Sequence, residues 1–435
     1  MKALSTFSVL ALALALLAPP AAWGLVGDSR GDFGLDGSFR LLGAVLDQPG
    51  AGYHFSQGQP VNETATGLLR LTASGRPGDR LAYEVHTVQS ITTLSDPAGG
   101  LGRGGLSLPA EKSRYRAVDD TATWLEEPHQ TASLWADRAW VRLRFSGADL
   151  TLGRQALTFG KAWFWNPTDV FLPFDALSFD RDYKGGVDAL LVEVPLGPAS
   201  GLSLAAVAGR NLALDGDYES GETADLDPEA SALLARGFMN VSGWDFSIQA
   251  GRVYHGWHAG AGAVGDAAGF QVRAEAAVFR TAIDDPLPLP LSGNLFEDRW
   301  SATLGLGRRW PNSLDLEAEY LFNSGGDEND LFASFARVSA GALLQAGRHF
   351  LGVTASYELT PLVVARLAWV QSLSDGSGTV QPFVNASLSD NAELVLGLTV
   401  PYGPGPSRTL GVVTGLASEF GSYPNQLFGE LKWYF

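Results

Sequence analysis

Hydrophobic and polar residues alternate along most of the chain with a period of two. In Leu314–Phe322 (LDLEAEYLF), every second residue from Leu314 is apolar, and acidic residues stand between them. The segments 270–279 (FQVRAEAAVF) and 392–400 (AELVLGLTV) show the same alternation. Successive side chains of a β-strand point to opposite faces, so each segment predicts a strand with one apolar face and one polar face.

The connections between these segments alternate in length. Short turns that contain Gly, Pro, Asn or Asp alternate with longer polar or Gly-rich stretches. The short turns are 75–79, 146–149, 242–245, 311–313, 359–361 and 388–391, and the long connections are about 47–63, 91–130, 158–185, 211–231, 281–298, 323–348 and 401–424. This organisation is typical of a transmembrane β-barrel with short periplasmic turns and long outer loops.

We therefore predict an all-β fold, a single transmembrane antiparallel up-and-down barrel over residues 25–435. Its apolar face would meet lipid and its polar face the lumen. Both ends of such a barrel lie in the periplasm, so the number of strands is even. Obvious strands number seventeen, and a tight outer turn at 255–258, a strand at 259–265 and a turn at 266–269 bring the count to eighteen, with sixteen as the alternative.

The last residues, Phe428–Phe435 (FGELKWYF), alternate to the end of the chain. We predict that 425–435 form the closing strand, because an open sheet edge in lipid leaves backbone groups unsatisfied. Leu427, Leu431, Trp433 and Phe435 would then face lipid, and Phe428, Glu430, Lys432 and Tyr434 would face inward. A terminal Phe on such a strand resembles the C-terminal signal of bacterial outer-membrane barrels, which implies recognition by the barrel-assembly machinery.

Composition narrows the class of protein further. An apolar run at 9–17, followed by Ala22 and Gly24, predicts a secretory signal peptide over 1–24. The chain contains no Cys, so disulfides do not stabilise the fold. The net charge of −17 argues against nucleic acid as a partner, because its phosphates would be repelled. A large secreted β-sandwich or propeller also alternates and is the soluble alternative.

Residues Leu152–Val194 carry the most specific pattern in the chain. They contain Gly153-Arg154-Gln155, Pro167-Thr168-Asp169, Pro173-Phe174-Asp175 and Gly186-Val187-Asp188. This segment resembles the outer-membrane porin-like barrels that include the alginate-export type. The resemblance implies a diffusion or export channel in the outer membrane of a Gram-negative bacterium. Alternation places Arg154 toward lipid, so it requires a bulge near Gly153 or a position at the membrane interface.

The long connection 158–185 combines aromatic side chains with charges. Its aromatic residues are Trp163, Phe164, Trp165, Phe171, Phe174 and Phe179. Such side chains are poorly placed in an outer loop surrounded by water, so we predict that the loop packs inside the barrel. Its charges would then line a constriction, and they are Asp169, Asp175, Asp180, Arg181, Asp182 and Lys184. The alternative is a loop that lies across the barrel rim and is packed for stability only.

The strand pattern divides the predicted lumen charges between two walls. The basic wall consists of Arg138, Arg142 and Arg144, with Arg40 and Arg70 on the first strands and Glu84 and His86 on the third. The carboxylate wall consists of Glu275, Asp315, Glu317 and Glu319, with Arg273 among them. Opposed walls would create a field across the pore that orients dipolar solutes. The alternative is that these charges are salt-bridged filler of the lumen.

Other polar clusters are weak candidates for sites. His255 and His258 have the spacing of a helical metal pair but lie at a predicted turn, which favours a surface role. Asp327, Glu328 and Asp330 could hold a divalent cation or solvate a loop, and the second role is favoured.

These patterns lead to three functional hypotheses. The sequence shows no Ser/His/Asp set, so we predict no enzyme, no metal and no cofactor. The first hypothesis is a porin for passive diffusion of small hydrophilic solutes. The others are a dedicated exporter or conduit for a polysaccharide or partner protein, and a plugged structural barrel. We expect outer-membrane lipid around the protein, and the resemblance implies a monomer rather than a trimer.

Overall fold

The computed structural model describes residues 25–27, 31–47, 61–95, 113–178, 180–211, 226–287, 291–409 and 412–435. The predicted signal peptide lies outside the described residues, as do Phe179 and the central parts of several predicted long connections.

Within the described residues, eighteen antiparallel strands form one closed barrel, which confirms the predicted architecture and strand count. Each strand pairs with the next along the chain, and the last strand pairs with the first, with Leu431 opposite Leu41. The strands are β1 (Gly34–Asp47), β2 (Val61–Gly75), β3 (Leu81–Leu94), β4 (Gln130–Arg144), β5 (Asp149–Gln155), β6 (Val187–Gly197), β7 (Ser200–Val207), β8 (Ala232–Val241), β9 (Trp244–Val253), β10 (Gly256–Ala267), β11 (Phe270–Thr281), β12 (Arg299–Arg309), β13 (Asp315–Asn323), β14 (His349–Thr360), β15 (Val363–Ser372), β16 (Gly378–Ser389), β17 (Ala392–Tyr402) and β18 (Asn425–Tyr434). Closure leaves no strand edge to be satisfied by lipid.

The alternation of side chains gives the barrel an apolar outer face. In β18, Leu427 is 55% exposed, whereas Phe428, Glu430 and Lys432 are buried inside. The other strands likewise expose large apolar side chains, among them Ile248, Leu304, Leu306, Leu396 and Leu398. A closed barrel whose outer face is apolar is built to span a lipid bilayer.

The inner face is less polar than the sequence predicts. Leu42, Leu68, Val88 and Trp135, from β1 to β4, form one buried cluster. A second cluster joins Ala44, Leu46, Phe383, Val395 and Phe428, from β1 and β16 to β18. These side chains occupy inward positions of their strands, so part of the lumen is packed rather than filled with water.

The connection between β9 and β10 is shorter than predicted. The turn consists of Tyr254 and His255, which have positive φ angles of 41° and 54°. Positive φ at both central residues is the geometry that matches the twist of a two-residue hairpin. His258, which the sequence places at this turn, instead lies in β10, where it is buried.

Several smaller elements lie outside the barrel strands. They are the strands Val26–Gly27, Ala122–Glu127, Ser407–Thr409 and Val412–Gly415, the helix α1 (Leu331–Ser339) and a 3-10 turn at Phe420–Ser422. Asp330 caps α1 by accepting a bond from the backbone N–H of Ala333 (3.2 Å). Asp327 and Glu328 accept backbone N–H bonds from Asn329 (3.1 Å) and Arg348 (2.8 Å). No helix in the described part of the chain is long and apolar enough to cross a bilayer.

Candidate functional site

The connection between β5 and β6, residues 156–186, lies inside the barrel, and we call it the crossing loop. Its first half contacts inward side chains of β11 and β13, and its second half contacts inward side chains of β1 to β4 and β18. These groups of strands lie on separate parts of the wall. The loop therefore extends across the lumen and divides it.

Glu319 of β13 holds the loop through backbone groups alone. Its carboxylate accepts N–H bonds from Trp163 (2.6 Å), Phe164 (3.0 Å) and Trp165 (2.8 Å). A carboxylate accepts hydrogen bonds but donates none, so three consecutive N–H donors match it well. The Glu319 side chain is buried beneath the loop, where these bonds satisfy its charge.

Glu275 of β11 holds the adjacent part of the loop in the same way. It accepts backbone N–H bonds from Lys161, Ala162 (2.9 Å) and Thr168 (3.2 Å), and a bond from the Thr168 hydroxyl (2.7 Å). Glu275 is also buried. The two carboxylates that the sequence assigns to an open wall of the pore therefore lie under the loop.

Asp180 attaches the second half of the loop to the seam between the first and last strands. Arg40 and Lys432 are opposite each other in the β1–β18 register and are both buried. Asp180 forms an ion pair with Arg40 and another with Lys432 (3.1 Å), and Asp182 also pairs with Lys432. Glu430 accepts a bond from Arg40 Nε (2.6 Å). Carboxylates of the loop and of β18 thus neutralise two like charges that face each other directly.

Tyr183 joins the loop to the inner faces of β2 to β4. The guanidinium carbons of Arg70 and Arg138 lie 3.2 Å and 4.4 Å from the centre of its ring, and its hydroxyl hydrogen-bonds His86. Such cation–π contacts are strongest where water is excluded. Burial raises the pKa of the Tyr183 phenol in the loop above its usual value, so the phenol stays neutral well above physiological pH.

Polar contacts between residues of the loop also stabilise it, and those of Lys184 are buried. Lys184 Nζ lies 2.7 Å and 2.6 Å from the carboxylate oxygens of Asp169 and 2.6 Å from the carbonyl oxygen of Leu157. Arg181 donates to the carbonyl oxygens of Ala176 (3.0 Å) and Trp163. These charges, predicted to line a constriction, instead stabilise the conformation of the loop.

Aromatic residues of the loop fill the lumen beside β13 to β15. Phe164 and Trp165 pack with Leu321, Phe350 and Val370 in one buried cluster. Phe171 belongs to a second cluster, which also contains Tyr115, Phe296 and the alanines of α1. Phe174 is partly exposed, and Trp163 is 37% exposed. The loop closes this side of the lumen by close packing.

An open cavity of about 400 Å³ lies on the other side of the crossing loop, against the inner faces of β3 to β8. Its charged lining residues are Glu84, Arg138, Arg142, Glu193 and Arg236, and its aromatic ones are Trp140, Phe159 and Phe238. Arg142 Nε donates to the Thr151 hydroxyl (2.9 Å), which holds the guanidinium along the wall. This cavity is the candidate passage through the barrel.

The structure brings only some of the predicted site residues to this cavity. Arg138 and Arg142 line it, whereas Arg144 pairs with Asp149 (3.9 Å) further along β4 and β5. Glu317 pairs with Arg273 (3.3 Å) on the opposite wall. Three other predicted residues do not line the cavity either. Asp315 is partly exposed at the start of β13, and Asp175 is exposed on the loop. Arg70 pairs with Asp137 (3.5 Å).

Arg154 is buried, but β5 pairs with β4 and β6 in continuous register through Gly153, so the expected bulge is absent. Gly153 has a φ of +117°, a backbone conformation that residues other than Gly rarely adopt. Arg154 Nε then bonds Asp188 (2.7 Å), and its two terminal nitrogens bond Asp120 (2.5 Å) and the carbonyl oxygen of Val118 (2.8 Å). The residues that resemble the porin-like motif therefore build a local ion-pair network at the start of the crossing loop.

Arg236 and Glu193 are lining residues that the sequence analysis missed. Arg236 alternates inward with Leu234 and Phe238 in β8, between the outward Leu233 and Met239. The same period-two rule would have found it, but the segment ALLARGFMNV shows a weak contrast between its faces.

Solved structures of bacterial outer-membrane porins share this fold. OccK11 (OpdR) of Pseudomonas aeruginosa matches with a TM-score of 0.53 and 12% identity over 94% of this chain and 99% of that chain. A BenF-like porin of Pseudomonas fluorescens Pf-5 matches with a TM-score of 0.55 and 8% identity over 94% of this chain and 100% of that chain. OpdK of Pseudomonas aeruginosa, solved with vanillate, matches with a TM-score of 0.50 and 10% identity over 92% of this chain and 98% of that chain.

These similarities establish the porin-type barrel. No protein-family model and no curated protein matches the chain.

Proposed function

We propose that the protein is an outer-membrane channel through which small hydrophilic solutes diffuse passively. The observation that carries this proposal is the charged cavity of about 400 Å³ beside the crossing loop, inside a closed barrel whose outer face is apolar. Barrels of sixteen to eighteen strands are wide enough for a water-filled lumen. Here the crossing loop and the inner apolar clusters reduce the free width, so the passage selects among solutes.

The charge of the passage favours small anions. Arg138, Arg142 and Arg236 line the cavity together with Glu84 and Glu193. Glu84 and Arg138 neutralise each other, since the Glu84 carboxylate lies 3.5 Å from Arg138 and also 2.9 Å from the His86 ring, so Arg142, Arg236 and Glu193 set the remaining charge of the lining. The remaining excess of arginine over carboxylate raises the local concentration of anions in a narrow pore. The structure of OpdK with vanillate, a small aromatic anion, supports this direction, and the aromatic lining suits a ring.

Planar-bilayer recording under a KCl gradient tests both parts of the proposal. We expect discrete current steps and a reversal potential that reports preference for chloride. Arg142→Gln should move that potential toward the cation side. The control Arg309→Gln removes the same charge from an arginine that is 63% exposed and pairs with Glu358, so it should change little. Absence of current steps from folded protein would refute the channel, and cation preference would refute the anion selectivity.

Export of an anionic polysaccharide is the second candidate function. The segment 152–194 resembles the porin-like barrels that include the alginate-export type, and the excess of arginine in the cavity would attract a polyanion. Oligomers of uronic acid added to the bilayer should then block the current in a length-dependent way, whereas a diffusion channel for small solutes would respond to monomers.

The surroundings of the channel follow from the same proposal. We propose that the barrel resides in the outer membrane of a Gram-negative bacterium, that the closing strand with Phe435 is read by the assembly machinery, and that the folded protein is a monomer. Deletion of Phe435 should reduce the yield of folded barrel in cells. Chemical cross-linking in isolated membranes should give monomers only.

A further inference from the structure

The crossing loop is bound to the barrel wall through its backbone by Glu275 and Glu319, and we call these two side chains the seat of the loop. Glu319 and Glu275 accept six backbone N–H bonds from residues 161–165 and 168, and the Thr168 hydroxyl adds one side-chain bond. The seat therefore depends on the path of the loop more than on its side chains. Bonds to a buried carboxylate are among the strong hydrogen bonds of proteins.

The wall around the seat is shaped to fit the loop. A Cβ atom at Gly352 of β14 would lie 2.7 Å from Phe164 Cδ2, and a Cβ atom at Gly260 of β10 would lie 3.0 Å from Thr168 Cγ2. Glycine at these two strand positions leaves the room that the loop occupies. Contact geometry and hydrogen bonds thus place the loop on the same side of the lumen independently.

Seating the loop has a consequence for the charge that a solute meets. The two glutamates lie on the wall opposite the arginine-lined cavity, and their negative charges are covered by the loop. If the loop left the seat, it would move toward β3 to β8, and Glu275 and Glu319 would face water. The open space would then shift from an arginine-lined wall to a carboxylate-lined wall.

We propose that Glu275 and Glu319 are positioning residues, which fix the crossing loop against β10 to β14 and thereby keep the passage on its arginine-lined side. The consequence for selectivity rests on the proposed channel function, whereas the seating of the loop does not. These residues act through the loop and need not touch a solute.

Hydrogen–deuterium exchange of the backbone amides tests the seating without any need for conduction. Glu319→Gln keeps the size of the side chain, but its amide NH2 group opposes an N–H donor of the loop. We expect exchange at residues 163–165 to become about tenfold faster or more, which follows from losing hydrogen bonds to a charged group. Glu275→Gln should act in the same way at residues 161, 162 and 168.

Glu317→Gln is the matched control. It lies on the same strand and inner face as Glu319 and removes the same charge, but among the described residues it pairs with Arg273 and not with the loop. Exchange at residues 161–168 should be unchanged in this variant. Equal effects of Glu317→Gln and Glu319→Gln, or no acceleration in the Glu275→Gln/Glu319→Gln double variant, would overturn the proposal.

A second variant tests the seat without altering either carboxylate. Gly352→Ala places a methyl group against Phe164, so it should also accelerate exchange at residues 163–165; unchanged exchange there would count against the seat. In bilayers, Gly352→Ala, which keeps both carboxylates, should show noisier currents and weaker anion preference than the native protein. If exchange responds as expected but no form of the protein conducts, the seat is correct and the channel function is wrong. If the protein conducts and the variants change neither exchange nor selectivity, the channel function is correct and the seat is wrong.

Discussion

Asp180 connects the crossing loop to the seam at which β1 and β18 close the barrel, and the substitution Asp180→Asn measures the strength of that connection. In the native protein, Arg40 and Lys432 face each other in register, and Asp180 contacts both. The asparagine has almost the same size and keeps hydrogen-bonding capacity, but it carries no charge. Two buried cations would then share Glu430 and the more exposed Asp182.

The size of the effect follows from burial. Removing one partner of a buried, hydrogen-bonded ion pair costs about 3–5 kcal/mol, because the other charge is left without compensation. Glu430 still accepts a bond from Arg40 Nε (2.6 Å) and lies 4.0 Å from Lys432, so part of the charge stays neutralised. We therefore expect Asp180→Asn to lower the free energy of unfolding by about 3 kcal/mol, the lower end of that range.

Asp182→Asn is the control for this prediction. Asp182 belongs to the same loop and pairs with the same Lys432, but its side chain is 63% exposed compared with 8% for Asp180. Exposed ion pairs contribute about 0–1 kcal/mol, because water screens the charges. The two variants thus differ in the burial of the carboxylate that is neutralised and in its contacts, since Asp180 also pairs with Arg40.

Equilibrium unfolding of both variants in urea, in the same detergent or lipid vesicles, provides the measurement. Tryptophan fluorescence reports the transition, since the chain contains 12 Trp residues. A difference of less than about 1 kcal/mol between Asp180→Asn and Asp182→Asn would refute the reasoning, because it would mean that burial at the seam adds nothing to the ion pairs.

Three further predictions concern the loop and its start. Ultraviolet titration should show Tyr183 ionising above the usual pH of about 10. The loop should lose stability as the pH rises past that value, because the folded state holds the phenol proton more tightly than the unfolded state does. An unchanged alkaline titration in Tyr183→Phe would contradict this prediction. Gly153→Ala should cost about 1–3 kcal/mol because of its positive φ, while Gly147→Ala, with open space around it, should stay within about 0.5 kcal/mol. Lys184→Met should lower unfolding stability by about 3–5 kcal/mol by stranding the buried Asp169 charge, and adding Asp169→Leu should restore much of it; a double variant as unstable as the single one would contradict the pairing.

The barrel could be predicted from the amino-acid sequence, because period-two alternation is a local property of each strand. The closing strand could be read from residues 425–435 alone, and strand parity required an additional hairpin near residue 255. The same rule correctly separated the outward Leu427 from the inward Glu430 and Lys432. These inferences need no knowledge of which strands are neighbours across the lumen.

The exact turn at Tyr254 and His255 could not be predicted, because this pair lacks the Asn-Gly or Asp-Gly signal of such hairpins. The apolar clusters of the lumen were missed for a related reason. The sequence places Phe428 only on an inner face, and alternation does not say whether an inward side chain meets water or another side chain.

The roles of the charged residues depend on how the crossing loop folds inside the barrel. Sequence places Glu275, Glu319 and Arg142 on inner faces, but only the path of the crossing loop covers the two glutamates and leaves the arginine beside the open cavity. Likewise, Asp180 finds its partners in strands that lie far away along the chain. A strand pattern fixes the direction of a side chain, whereas its partner depends on how a loop folds back across the lumen, and that depends on contacts between residues distant in sequence.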